Sequence, residues 1–414
     1  MHAAFVPDLI WVVPFGAMLF SIAALPLVAP RLWESNARKL GLSAVLGLPI
    51  LWLYLRENPA ALQHVALDYV SFIILLGSLF AISGGILLEG DLQATPRVNA
   101  AFLAVGTLLA SLVGTTGASM LLVRPLLQTN RERRHVTHTV VFFIFLVSNI
   151  GGCLTPLGDP PLFLGYLAGV PFAWTLRLAP AWAFTSGVLL ALYFAWDTRA
   201  YRSESRADRM RDRLEVRPLR VAGKENAVLL LLVVAAVAFL KAPYRELAMV
   251  VAAGLSVAAT PRDLRQTNRF SFHPILEVAA LFAGIFLTML PALDLLRARG
   301  AELGVREPWQ YFWAAGGLSS FLDNAPTYLT FLALAQGQRL APEVVGVTHD
   351  VLRAISLGAV FMGANTYIGN GPNFMVRSIA EERGVPMPSF GGYMAYSGVV
   401  LVPVFGLVTL IFFR

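Results

Sequence analysis

One cysteine in 414 residues excludes an intrachain disulfide, and that residue, Cys153, stands inside an apolar run. Charge is scarce too. Charged residues make up 14% of the chain, hydrophobic residues 57%, and the mean hydropathy is +0.66, which excludes a soluble globular domain. The net charge of +7 is no sign of nucleic-acid binding, because the basic residues lie in short loops between apolar runs, the pattern of membrane topology. No H-E-x-x-H, no G-x-S-x-G and no cysteine or histidine partnered with an acid within a span stands in the sequence, which disfavours an intramembrane enzyme. The opening residues MHAAFVPD lack a basic n-region, so residues 9–30 read as a retained span rather than a cleaved signal.

What is present is hydrophobic length. Ten crossings are expected near 9–30, 38–55, 69–88, 136–168, 174–196, 226–242, 246–259, 273–296, 347–382 and 390–413, with hairpins at 98–129 and 309–336 that enter and return. Placing both termini outside puts the loops 31–37, 89–97, 130–135, 197–225, 260–272 and 383–389 in the cytoplasm, where they hold eighteen basic residues. The outer side holds seven: Arg56, Arg245, Arg297, Arg299, Arg306, Arg339 and Arg414. The positive-inside rule then predicts this orientation for a multi-pass protein of the cell (inner) membrane, in contact with the lipid bilayer. Glu89 and Asp91 read as loop residues. His138, like the other histidines, reads as an ordinary residue at a membrane edge.

Two of the spans carry the same punctuation at an offset of 211 residues. Gly152-Cys153-Leu154-Thr155-Pro156-Leu157-Gly158-Asp159-Pro160-Pro161 matches Gly363-Ala364-Asn365-Thr366-Tyr367-Ile368-Gly369-Asn370-Gly371-Pro372 in two glycines, a threonine and a proline, with Asp159 facing Asn370. Gly and Pro break helices, and in lipid the freed backbone groups need buried protein or a lined cavity. The hairpin tips repeat as well, Ser111 to Ser119 aligning with Ser319 to Thr327. The expected fold is an all-α polytopic membrane protein of two inverted-topology repeats, each with five crossings, one re-entrant hairpin and a helix broken at the midplane. Residues 1–200 form the first repeat, 201–219 a basic cytoplasmic linker and 220–414 the second.

If hairpins and broken helices meet at mid-membrane, four polar clusters converge: Thr115, Thr116 and Ser119; Thr155 and Asp159; Asp323, Asn324 and Thr327; Asn365, Thr366, Asn370 and Asn373. Oxygen-bearing side chains and helix ends suit a hard monovalent cation, and Asp323, Asn324, Asp159 and Thr155 are the candidate Na+ ligands. Asp159 and Asp323 are the carboxylates expected deep in the bilayer, where an acid is costly and a functional role is the default. Asp323-Asn324-Ala325-Pro326 also reads as a helix start, a side-chain cap followed by proline, and Asp159 before two prolines as a turn former.

At these residues the chain resembles the ion transporter superfamily. SSFLDNAPTYLTF is similar to the second hairpin tip of NhaD-type sodium/proton antiporters, to which the citrate-transporter-like proteins are related, and GGCLTPLGDPPLFLGYL to their broken fifth helix; the GDPP step also resembles ArsB-type arsenite permeases. The resemblance implies a homodimer in which a transport domain moves as an elevator against a fixed scaffold. Because two carboxylates attract a cation and repel a carboxylate, the expected function is secondary active exchange of Na+ or Li+ for protons, without an enzymatic step, a separate cofactor or nucleic acid. The alternative is ion-coupled transport of an anion, a carboxylate such as citrate or an arsenite-like oxyanion.

Overall fold

The computed structural model describes residues 5–33, 35–338 and 342–413, so Arg339 and Arg414 of the basic count fall outside the described residues. Among the described residues, seven helices are long and apolar enough to cross a membrane: Leu9–Pro26, Asn36–Glu57, Pro59–Ser83, Pro96–Val113, Phe172–Ser203, His273–Leu303 and Phe390–Phe412. Two other expected crossings are single shorter helices, Glu225–Phe239 and Tyr244–Ala259, and those at 136–168 and 347–382 are built from pieces. Ten crossings are thus not recovered by length alone, because two of the expected spans are short helices and two are broken by the backbone.

Capping chemistry sets where many helices begin. Asn58 accepts from Ala61 N at 3.2 Å before Pro59, and Thr95 accepts from Val98 N at 3.3 Å before Pro96; each side-chain oxygen takes a free amide while the proline has none to lose. The first hairpin is Pro96–Val113 and Thr115–Thr129 turning at Gly114, the second Pro308–Ser319 and Asn324–Gly337. Both broken helices, their flanking hairpins and the surrounding long helices share one buried apolar core, with Phe142, Phe143, Phe145, Phe312 and Phe361 among its fully buried side chains. A small second cluster of Ile50, Tyr54, Leu62 and Leu290 sits apart.

The fold is not wholly helical. Strand β1 (Leu87–Asp91) pairs antiparallel with β2 (Arg217–Ala222), Glu89 opposite Arg220 and Asp91 opposite Arg217. Glu89 and Asp91 therefore belong to a strand rather than a loop. The linker is likewise ordered: Ser205 accepts from Asp208 N at 3.0 Å to cap the helix Arg206–Leu214, and the chain then runs into β2. Charged alternation hid both elements from a hydropathy reading.

Loops expected on one side do meet. Besides the strand pair, Arg131 binds Glu215, Arg134 lies 3.1 Å from Asp208, Arg269 binds Glu382 and Thr137 donates to Pro386 O at 2.9 Å. On the opposite face, Gln338 donates to Gly300 O at 3.1 Å and Trp174 to His349 Nδ1 at 2.8 Å.

Candidate functional site

The two broken helices stop and restart with the same bonds. The first runs Thr137–Leu146, a 3-10 turn Ile150–Cys153, then Pro160–Leu167; the second runs His349–Met362, Gly363–Asn365, then Gly371–Glu382. Ser111 at the first tip donates to Gly151 O, as Ser320 does to Met362 O, while Thr155 donates back to Ser111 O and Thr366 to Ser320 O. Leu157 N and Ile368 N then donate to those threonine hydroxyls, each at 3.2 Å. The crossing leaves no room for a side chain: a Cβ on Gly158 would stand 2.2 Å from Gly152 O, and one on Gly369 2.6 Å from Gly363 O.

These bonds correct the alignment of the tips. Ser111 corresponds to Ser320 and not Ser319, which donates instead to Ala359 O at 2.7 Å. Two adjacent serines made the register ambiguous, and only the second meets the break itself, through Met362 O and Thr366. Gly114 thus matches Asp323, and Thr115 matches Asn324.

In that register the site has one centre. Asp159 Oδ1 accepts from Thr115 Oγ1 at 2.9 Å and from Asn370 Nδ2 at 3.2 Å, and its Oδ2 accepts from Asn324 Nδ2 at 2.6 Å. All four residues are buried. Each also stands at the start of a helix: Thr115 and Asn324 are the first residues of the two outgoing hairpin arms, Asp159 and Asn370 precede the second pieces of the broken helices. Such ends carry unpaired amides and roughly half a positive charge apiece.

A polar seam leads away from the carboxylate. Asn370 also donates to Asn149 Oδ1 at 3.2 Å, Asn149 donates to Asn373 Oδ1 at 2.7 Å, and Asn373 donates to Gly363 O and Thr366 O at 2.8 and 2.9 Å. Ser119 shares a 2.8 Å bond with Ser148. Ser148 and Asn149 were not among the expected residues, although a polar pair in an apolar run just before Gly151-Gly152 was a usable signal.

The remaining candidates stand beside the centre. Thr155 and Thr366 clamp the tip serines, and Asn365 Nδ2 donates to Ser320 Oγ at 2.9 Å. Asp323 caps its helix, accepting from Ala325 N at 3.0 Å while Thr327 donates to its carbonyl at 2.9 Å. Thr116 lines a cavity of about 80 Å³ with Gly114, Gly117 and Gly158, walled by Leu76, Leu79 and Ile275. Of the four expected sodium ligands, Asp159 and Asn324 are hydrogen-bonded to each other; Asp323 and Thr155 bond elsewhere.

A family described as "Putative citrate transport" matches residues 5–413, nearly the whole length. The chain belongs to this citrate-transport family. Two curated relatives are similar along their length: "Uncharacterized transporter Rv2684" of Mycobacterium tuberculosis and "Uncharacterized transporter Mb2703" of Mycobacterium bovis. Each is 26% identical over 422 aligned positions that cover 93% of this chain and 94% of the relative. Transport is therefore the work of this family member, and it is not an enzyme.

This transporter also holds a buried charge group outside the centre. Asp197 is fully buried and accepts from Arg133 Nη1 and Nη2 at 3.0 and 2.6 Å and pairs with His138 Nε2 at 2.8 Å. The group joins the start of the helix that opens at Thr137 to the end of Ala179–Ser203, so His138 at its membrane edge has an acid partner from another segment. Which charges pair across helices is a tertiary property that spacing along one span does not reveal.

Proposed function

We propose that this citrate-transport family member is a secondary active transporter of an anion, a carboxylate such as citrate or an oxyanion, driven by a coupled ion gradient. The observation that carries this is the donor set around Asp159: one hydroxyl and two amides, drawn from both halves of the chain, all donate to a carboxylate. Donors converging on oxygen suit an anion. Four helix starts there add about two positive charges in sum, enough to offset Asp159 and Asp323. Repulsion of a carboxylate substrate, expected from the two acids alone, is weakened once those helix ends are counted. Discontinuous helices whose starts point at an anionic group recur in secondary transporters.

The matched bonds of the two tips support two repeats of inverted topology, each exposing the shared centre to one side in turn by an elevator movement within a homodimer. A second reading, exchange of Na+ or Li+ for protons, draws support from Asp159 itself, an acid held between two broken helices with Asp323 close enough to act on its charge.

Flux into liposomes with an internal pH dye, challenged in turn by citrate, arsenite, Na+, Li+ and K+, tests both. Anion-dependent flux is the expected outcome. A dye response to Na+ or Li+ that needs no anion would favour the second reading and sink the first.

A further inference from the structure

Away from Asp159, on the face where the basic loops gather, a cavity of about 340 Å³ lies between β1, the end of the helix Thr115–Thr129, Arg217 of β2, Thr267 and Arg383. Its walls bring together Arg124, Arg131, Arg217 and Arg383, against Glu89 and Asp91. The acids offset the arginines only in part: Asp91 stands opposite Arg217 and acts on Arg131 and Arg217 without forming an ion pair with either. Asp91 accepts from Gln128 at 3.2 Å, and Arg131 is taken by Glu132 and Glu215. Among the described residues no carboxylate lies within ion-pair distance of Arg124, Arg217 or Arg383. Arg124 is half-buried and has one bond, to Asn268 O at 3.1 Å. Its nearby charges include Arg269 and Arg383; the one acid among them, Glu382, is bound by Arg269. A half-buried guanidinium surrounded by others of its sign is unfavourable without an anion to bridge them.

We infer that this pocket is a binding site for a phosphate-bearing anion, separate from the transported solute's centre. Three guanidinium forks from three different segments can surround a tetrahedral phosphate, which offers oxygens in several directions, better than a planar carboxylate. The volume leaves room for a group attached to the phosphate. Either an anionic lipid headgroup or a soluble phosphate supplies that chemistry, and the first lies in the same layer as juxtamembrane arginines. Because Arg124 belongs to a hairpin arm and Arg217 to the linker, an occupant would tie the arm that starts at Thr115 to the segment joining the halves.

The test uses the full chain in detergent and three probes: phosphatidylglycerol, phosphatidylcholine and inorganic phosphate. Binding is read by native mass spectrometry for the lipids and by shift of the melting temperature for phosphate. The double variant Arg217→Gln/Arg383→Gln removes two exposed guanidiniums that support no fold contact, and Arg306→Gln on the opposite face is the control. Wild type should hold phosphatidylglycerol over phosphatidylcholine, or bind phosphate, at least about tenfold more tightly than the double variant, with the control unchanged. Preference for the lipid names a headgroup site, and preference for phosphate a soluble one. Equal binding by wild type and double variant, or no binding of either anion, would overturn the proposal.

Discussion

At the first hairpin tip Gly114 turns with φ 82° and ψ 149°, and Thr115 opens the next helix; at the second, Asp323 caps with its own carboxylate and Asn324 opens the helix. Both opening residues then reach the same Asp159. One tip solves the helix start with a backbone that other residues avoid, the other with a side chain, and the chemistry delivered to the centre is alike. The difference lies around the tips. The glycine tip borders a cavity of about 80 Å³, while the capped tip leaves Phe321 exposed and its Asp323 tied to the helix it starts. Equivalent positions in the two halves thus need to agree in what they donate, not in how they turn.

The largest effect should come from the acid that both tips share. Asp159→Ala strands two buried donors, Thr115 Oγ1 and Asn324 Nδ2, each worth about 1–3 kcal/mol, while Asn370 keeps Ser148 O and Asn149 Oδ1, and it should lower the melting temperature and abolish flux. Asp159→Asn keeps one acceptor oxygen, so it should melt closer to wild type and still not transport. Transport by Asp159→Asn at the wild-type rate would remove the carboxylate from the cycle.

Exchanging the two turn solutions should be unequal in its effects. Gly114→Asp forces a side chain into a backbone region almost reserved for glycine, at about 1–3 kcal/mol, although a Cβ there would still lie 3.4 Å from Leu157 O. Asp323→Gly loses a cap that glycine partly replaces, at a few tenths of a kcal/mol. Thermal melts of the two variants check this, and equal losses would mean that the tips are not built differently.

Removing one donor at a time should give smaller and matched changes. Thr115→Val and Asn324→Ala should each raise the half-saturating concentration of the transported solute by about tenfold, the weight of one hydrogen bond to a charged group. A change at one tip alone, read by liposome flux, would break the equivalence. Asp323→Asn should matter least, since an amide caps as well as a carboxylate, and its melt should match wild type. Loss of flux in that variant would mark Asp323 as a proton or cation carrier and favour the second reading.

Much of this was legible in the sequence because Gly, Thr and Pro at fixed spacing are constraints on the backbone itself. Gly152 and Gly158 must touch, so their repeat at Gly363 and Gly369 announced the second broken helix. The hairpin register was off by one because Ser319 and Ser320 are indistinguishable without the carbonyl that each one meets. Asn149 escaped notice because its counterpart in the other half, at the same offset of 211, is Val360: the seam between the halves is not itself repeated. Strands β1 and β2 were hidden for another reason. Their pairing lies outside the apolar runs, and Glu89 opposite Arg220 is a contact between residues far apart in the chain.

Whether the two tips serve one site is tested most directly by a double-mutant cycle. Half-saturating solute concentrations would be measured in liposomes for wild type, Thr115→Val, Asn324→Ala and the pair. Two donors to one carboxylate are coupled, so the double variant should fall short of the product of the single effects, by a factor corresponding to about 0.5–3 kcal/mol of interaction. Effects that multiply without coupling would place the tips at separate sites and contradict a centre shared through Asp159.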